Sequence, residues 1–389
     1  MTLNNWKEST IGDIAKYANA RINTRDLTLV NYVSTENMLP EKAGKRGASS
    51  VPRGNAIQFR AGQTLISNIR PYFKKIWYAS VDGGCSADVL VFDVIDEIDG
   101  KYFFYFLNQD EFFDYVMGGS KGTKMPRGDK QQILMYPFKY PTKKEQKNIS
   151  GTLTCLDDKI ELNNRINKSL EEMAQAIFKS WFVDFEPFHD GEFEDSELGM
   201  IPKGWRVGVL EEMIELYDSK RIPLSSRKRE PMKKTYPYYG ATSLMDYVED
   251  YLFVGLYILL GEDGTVMDSK GFPILQYVWG KFWVNNHAHV LKGKNGFNED
   301  SLYMVLRNTN IQGIVTGAVQ LKINQANLKS VKVIIPSLEA VIRFNNLIEP
   351  LFAEKRRSFE ETQKLTELRD SLLPKLMSGE IRVPTEEVV

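Results

Sequence analysis

Histidine and cysteine are scarce in these 389 residues, with three of the first and two of the second. Cys85 and Cys155 stand far apart and in no metal-type spacing, which excludes a disulfide framework and leaves reduced, intracellular thiols as the expectation. His287-x-His289 offers two imidazoles on one strand face, but a metal centre needs three or four ligands and no third His or Cys is near. A nucleophile–His pair cannot be assembled either. Long apolar runs are missing too: no stretch of about 18 apolar residues exists and the N-terminus lacks a charged-then-apolar signal, so neither a span nor secretion is expected and the cytoplasm is the expected location. The phosphate-binding pattern G-x-x-x-x-G-K-[ST] is absent, and "GGSKGTK" at 118–124 has its glycines and lysines in the wrong register, reading instead as a flexible basic loop. A self-sufficient methyltransferase needs a glycine-rich cofactor loop and an Asn/Asp-Pro-Pro-aromatic loop; the nearest tripeptide is Phe185-Glu186-Pro187, in an acidic stretch. Asp157-Asp158 reads as a solvated or partner-facing pair on a helix. No catalytic residue and no cofactor of the chain's own is expected.

Net charge is also nearly missing, at −1, but it is unevenly spread. Residues 1–140 carry 18 Lys+Arg against 15 Asp+Glu, and 200–335 carry 17 against 13. Between them the stretch 184–199 carries Asp184, Glu186, Asp190, Glu192, Glu194, Asp195 and Glu197 and no Lys or Arg. Both flanking regions are therefore mildly basic, which permits nucleic-acid contact without requiring it.

What the chain does have is a repeated plan. "NNWKESTIGDI" at 4–14 and "KGWRVGVLEEM" at 203–213 each open about 130 residues of strand-rich sequence, and each half closes on a Pro-led helix from Tyr140 or Ile335. At an offset of 195 residues Pro141 meets Pro336, Leu153 meets Ile348, Leu170 meets Leu365 and Trp181 meets Leu376. A repeat this long is a duplicated domain. Ile149, Leu153, Leu156, Ile160, Asn163, Asn167, Leu170, Ala174, Ile177 and Trp181 alternate by steps of four and three, the 3.5-residue period of a coiled-coil seam. Its middle is polar in both copies, with Asn163 and Asn167 in one and Lys355, Ser358 and Thr362 in the other. The packing positions are expected at Leu153, Leu156, Ile160, Leu170, Ile177 and Trp181 in the first helix, and at Leu351, Leu365, Leu372 and Leu376 in the second.

Connectivity makes an antiparallel pair the simplest arrangement, with a rough two-fold axis. A helix of about 36 residues spans on the order of 50 Å. Pro350 and Pro374 are expected to kink or shorten the second helix. The fold class expected is α+β: two similar strand-rich domains, 1–140 and 205–335, with helices at 141–183 and 336–378, an acidic linker at 184–204 and a tail at 379–389.

Several segments, taken together and in order, resemble the specificity subunit of a type I restriction–modification system. They are "GQTLISNIRPYFKKIWYA" at 62–79, "LDDKIELNNRINKSLEEMAQAIFKSWFVDFEP" at 156–187, "YPYYGAT" at 236–242, "LLGEDGTV" at 259–266, "GKFWVNNHAHVLK" at 280–292 and "TGAVQLKINQANLKSVKVIIPSLE" at 316–339. The resemblance covers nearly the whole length. It implies two target-recognition domains on an antiparallel helical spacer and a split, asymmetric double-stranded DNA target. It also implies two methyltransferase subunits docked on the helices and two ATP-driven translocating nuclease subunits, with S-adenosylmethionine, ATP and Mg on those partners. One departure is that the second helix has "LEAVIRF" where the first has "KKEQKNI", which bears on whether the two docking surfaces are equivalent.

Basic and amide-rich loops are the candidates for DNA contact, since Arg and Lys reach phosphates or guanine edges and Asn and Gln can read adenine. In the first domain these are Arg46 and Arg53 in a Gly/Ser-rich loop, then Arg70, Tyr72, Lys74 and Lys75, then Lys121, Lys124 and Arg127. In the second they are Lys220, Arg221, Arg227, Lys228, Arg229, Lys233 and Lys234, with Tyr238, Tyr239, Gln320, Lys322, Asn324 and Gln325. Tyr238 and Tyr239 also suit a core. Two alternatives stay open from the residues alone: a stand-alone DNA-modifying enzyme, and a coiled-coil scaffold whose domains bind other ligands. Lengthening the helices is expected to lengthen the gap between the two parts of the target.

Overall fold

A proline followed by a hydroxyl residue starts each long helix. Thr142 accepts from the Glu145 N–H at 3.4 Å on its hydroxyl, and Ser337 from the Ala340 N–H at 3.3 Å, so each caps a first turn. The helices that follow run Lys143–Phe182 and Leu338–Ser378. Of the two effects expected of Pro350 and Pro374, a kink or a shortening, the shortening does not occur: the helix runs through both. Each removes one N–H, but the surrounding turns are pinned by burial, Phe344, Ile348 and Phe352 around the first and Leu373, Leu376 and Met377 around the second.

The computed structural model describes residues 6–122, 124–317 and 320–383. The first residues of the opening segment at 4–14, Thr123 of the basic loop, Ala318-Val319 of the matching loop and 384–389 of the tail lie outside the described residues. The chain divides into two compact units, Met1–Leu162 with Glu361–Val389, and Asn163–Glu360.

In the first unit a four-stranded antiparallel sheet has the order Ala15–Tyr17, Val89–Val94, Thr64–Ser67, Ile76–Tyr78. A second sheet joins Arg21–Asn23, Asn55–Phe59, Gly83–Cys85 and Tyr32–Val33. The strand Val89–Val94 is buried on both faces: Leu90 and Phe92 pack with the helices Gly100–Leu107 and Asp110–Gly118, while Val89 and Val91 face the other way into a core with Phe59 and Cys85. Lys7–Thr10 pairs with Pro137–Tyr140 just ahead of the long helix.

The second unit repeats this order: Ile214–Leu216, Ala288–Gly293, Tyr257–Gly261, Leu275–Val278 form its antiparallel sheet, with Glu299–Arg307 as the covering helix. Arg206–Val209 pairs with Lys332–Ile335 ahead of the second long helix. Its other sheet joins Leu244–Val248, Tyr236–Tyr239, Lys281–Val284 and Phe253–Val254. The acidic stretch here is folded, with Phe182, Phe185, Phe188 and Trp205 packed into one aromatic cluster.

Within each unit the long helices touch. Asp157 pairs with Arg369 at 2.8 Å and Lys159 with Glu361 at 3.1 Å in the first unit. In the second, Asn163 Nδ2 reaches the Ser358 carbonyl at 3.4 Å, Glu171 pairs with Lys355 at 3.1 Å, and Phe178 and Trp181 meet the Phe344 ring. Numbers rise along one helix as they fall along the other, so the pair is antiparallel. Leu153, Trp181 and Leu376 are buried in these contacts, and Leu156, Ile160, Leu170, Ile177, Leu351, Leu365 and Leu372 are half-buried. The polar middle is real: Asn163 and Ser358 are buried, and the Asn167 Oδ1 and Thr362 Oγ1 are buried with no hydrogen-bond partner among the described residues. Such positions cost stability and select one register.

One position of the departure at the helix starts lies inside the protein, while Lys143, Lys144 and Lys147 and their counterparts Leu338, Glu339 and Ile342 are exposed. Gln146 is fully buried; its Oε1 accepts from the Asp99 N–H at 2.8 Å and its Nε2 donates to the carbonyls of Pro141 at 2.9 Å and Glu97 at 3.2 Å. The matching residue, Val341, sits in an apolar core. Gln146→Val is expected to destabilise the first unit by about 2–3 kcal/mol, because buried partners are left unpaired. A denaturant midpoint giving less than about 0.5 kcal/mol, the size of an ordinary surface change, contradicts this.

A further difference concerns charge. Lys101 lies over the rings of Tyr78, Phe104 and Tyr105 at 4.4–5.7 Å, and burial lowers its pKa against the pull of Asp157 and Asp158 on the first long helix. At the matching turn of the second unit Asp300 faces Arg356 of the second long helix at 3.2 Å and accepts from Tyr277. Burial holds the Asp300 carboxyl above its usual range despite Tyr277 and Arg356.

Candidate nucleic-acid interface

Two loops are stitched together in the same way in each unit. In the first, Ile69 bridges Arg127, the Arg70 N–H donates to the Pro126 carbonyl at 2.8 Å and Lys121 bridges Arg127. In the second, Asp263 bridges Lys322, the Gly264 N–H donates to the Leu321 carbonyl at 2.9 Å and Thr316 bridges Lys322. Each stitched pair leads into a short helix, Lys130–Leu134 capped by Asp129 or Gln325–Lys329 capped by Asn324. Arg127 and Lys322, and Lys121 and Thr316, are related by the offset of 195 that relates the long helices.

The first unit gathers several candidate cations around its pair. Arg70 and Lys124 are exposed, Arg127 reaches Asp88 at 3.2 Å and Lys121 reaches Asp129 at 2.8 Å. The Lys75 ammonium donates to the Thr35 carbonyl at 2.6 Å; burial and the neighbouring charges of Arg46 and Arg70 lower its pKa. Arg46 lines a polar groove of about 380 Å³ with Ser34, Asn37, Ser49, Ser86 and Asp88. Arg53 is exposed on the same loop and Tyr72 is 45% exposed. Lys74 turns elsewhere: with Lys42 it holds Asp110, at 2.9 and 2.7 Å.

The second unit separates its candidates into surface and interior. Gln320, Lys322, Arg227, Lys228 and Lys233 are exposed, Lys220 lies 4.9 Å from the Tyr217 ring, and Lys234 pairs with Asp246 at 3.0 Å. Arg229 is buried between Asp246 and the Tyr238 ring, and the Tyr238 hydroxyl caps Leu224 N at 3.0 Å, so both brace the segment that carries Arg227 and Lys228. Tyr239 packs edge-on against Phe282. The Asn324 side chain caps its helix, accepting from the Asn327 N–H at 2.7 Å.

Arg221 and the exposed Gln325 join a network around the buried Asp218 and His289 that residue patterns did not reveal. Asp218 accepts from His289 Nδ1 at 2.6 Å, Gln325 Nε2 at 2.6 Å and the Val290 N–H at 2.8 Å. Arg221 lies 3.4 Å from Asp218, 2.7 Å from Glu262 and 2.6 Å from the Ala288 carbonyl, and His289 Nε2 faces the Ile323 carbonyl at 2.8 Å. Burial alone raises the Asp218 pKa, but His289, Val290 and Arg221 outweigh it and hold the carboxyl below its usual range. Asp218, Glu262 and His289 are close enough to ligate one metal ion, yet Arg221 already supplies the positive charge between the two carboxylates. The network ties the loop 321–325 to the central strand and so positions Lys322.

A family model described as the type I restriction modification DNA specificity domain matches residues 4–172 and 202–348. The chain belongs to that family. It is a non-catalytic specificity subunit, with DNA sequence recognition as its role. Among curated relatives, the MjaIX specificity subunit of Methanocaldococcus jannaschii is 27% identical over 74% of this chain and 70% of its own. The HindI specificity subunit of Haemophilus influenzae is 23% identical over 97% of this chain and all of its own. Among solved structures, the type I S subunit from M. genitalium shares the fold, with a TM-score of 0.63 at 16% identity, over 97% of this chain and 98% of that one. The matched residues include both stitched loop pairs and both groups of exposed cations. A specificity subunit works with other subunits and DNA, and among the described residues no helix is long and apolar enough to cross a membrane.

Proposed function

We propose that each unit reads one part of a split, asymmetric DNA target through its stitched loop pair. Lysines and arginines flanking the loops neutralise phosphates and fix the register, while a few side chains at the loop tips inspect base edges. The observation that carries this reading is the recurrence of the same loop scaffold in both units with different side chains on it: Arg70 and Arg127 in one, Gly264 and Lys322 in the other. Two readers that share a scaffold but differ in surface chemistry suit an asymmetric target. Joining two weak readers in one chain raises affinity through effective concentration. The long helices set the gap between the two parts of the target and carry two methyltransferase subunits, which two translocating nuclease subunits join. S-adenosylmethionine, ATP and Mg act on those partners, in the cytoplasm where the genome lies.

Binding to duplexes across a salt series tests the assignment of the cations. Replacing Arg227, Lys228 and Lys233 together by alanine is expected to weaken binding to every duplex alike. The slope of log affinity against log salt becomes shallower by about 0.9 for each phosphate that is no longer neutralised, while the methylated motif stays the same. An unchanged slope removes these residues from the interface, and a changed motif makes them readers instead of clamps.

A further inference from the structure

Arg70 stands in a backbone conformation that its chemistry disfavours. Its φ is +49° and its ψ is 63°, in the left-handed region, where a Cβ crowds the following carbonyl and glycine alone is at ease. The second unit shows what that position needs. Its counterpart is Gly264, with φ of +84°, and the two are matched bond for bond: each follows the bridging residue of its loop, Ile69 or Asp263, and each donates its N–H across the stitch, to Pro126 or Leu321. One copy of the scaffold therefore meets the backbone requirement with glycine, and the other keeps an arginine at some conformational cost.

Among the described residues no side chain accounts for that retention. The Arg70 side chain is exposed and has no hydrogen-bond or ion-pair partner among the described residues. It differs in this from Lys74, which is also left-handed but is held by Asp110. Asp88, the nearby acid of this loop pair, is already taken by Arg127. Arg70 and Arg46 each lie close enough to the Lys75 ammonium for their charges to act on it, which favours a polyanion in front of the loop. A strained residue with a free side chain at a loop tip points to function at that side chain.

We infer that Arg70 is a specificity-determining residue of the first unit, contacting a base edge that presents two adjacent acceptors, the pattern guanine shows in the major groove. A planar guanidinium matches that pattern with two hydrogen bonds and a lysine ammonium does not. Its rigid seat, stitched to Pro126 on the backbone, is what a reader requires, whereas a phosphate clamp needs only charge and reach. The inference rests on the reading of the chain as the DNA-recognising subunit and adds which side chain does part of that reading.

The test compares the full chain with Arg70→Gly, Arg70→Ala and Arg70→Lys variants, each assembled with its methyltransferase subunits. Methylation is measured on the cognate duplex and on single-base variants of both target parts, and thermal unfolding is followed in parallel. Arg70→Gly is expected to unfold at the same temperature as the parent or higher, because strain is relieved. Preference at one base pair, in one target part only, is expected to fall about tenfold or more. Arg70→Ala loses the same preference, and Arg70→Lys does not restore it. A lowered midpoint for Arg70→Gly overturns the inference by making the side chain structural. An equal loss on all duplexes overturns it by making Arg70 a phosphate clamp, and an unaltered preference overturns it outright. If the parent complex itself discriminates between no sequences, the underlying reading fails rather than the role of Arg70.

Discussion

Asp218→Ala is expected to cost the second unit about 3–5 kcal/mol, because it leaves the part-buried Arg221 charge and the buried His289 ring without the carboxylate they share. Three hydrogen bonds converge on that carboxylate, and one of them, from Gln325, anchors the loop bearing Lys322. The loss therefore reaches sequence recognition as well as folding: denaturant unfolding should shift, and methylation should fail on duplexes that the parent complex modifies. Asp218→Asn separates the two effects, since it keeps the shape and removes the charge. The acid limb of stability carries the same signature. A carboxyl held below its ordinary range stabilises the fold fully above the unfolded value of about 4, and that stability drains away as pH falls through the depressed folded value. The parent should lose stability below about pH 4 more steeply than Asp218→Asn. Parallel acid limbs for the two proteins contradict the role given to this network.

The second large effect belongs to Phe344. Its ring is fully buried and meets Phe182 at 4.7 Å, Trp181 at 5.9 Å and Phe178 at 6.1 Å, joining the start of one long helix to the end of the other. Phe344→Ala opens a cavity that helices cannot easily close, and about 3–5 kcal/mol should be lost in denaturant unfolding. Phe344→Leu fills most of the space and should recover more than half of it. If alanine costs less than about 1 kcal/mol, the helices are held by something other than this aromatic cluster.

The helices were the most legible part of the chain, for reasons visible at single residues. A 3.5-residue apolar period, proline followed by Thr142 or Ser337, and polar interruptions at the same place in both copies are local signals, and each has its structural counterpart. Their strongest contacts were less visible. Phe344 and Phe352 lie on the buried face, but the regular spacing of leucines drew attention to Leu351 and Leu365, which are half-buried. The strand Val89–Val94 is buried on both faces, so its period-two pattern is masked by apolar residues throughout. At the interface, composition marked the basic loops but could not tell a surface arginine from Arg229, since only the fold brings Asp246 and the Tyr238 ring around it. Asp218, Glu262 and His289 come from three distant segments and no spacing joins them. Left-handed geometry was legible at Gly264 and not at Arg70, because arginine carries no mark of it.

The opposite charges at Lys101 and Asp300 act as a key cut differently for each half. Lys101 faces the acids of the first long helix and Asp300 faces Arg356 of the second, so a domain moved alone onto the other helix meets a charge of its own sign. Chimeras made by shuffling recognition modules should therefore keep each domain with the helical turns it rests on, and productive crossover points should fall beyond Asp158 in one half and beyond Arg356 in the other.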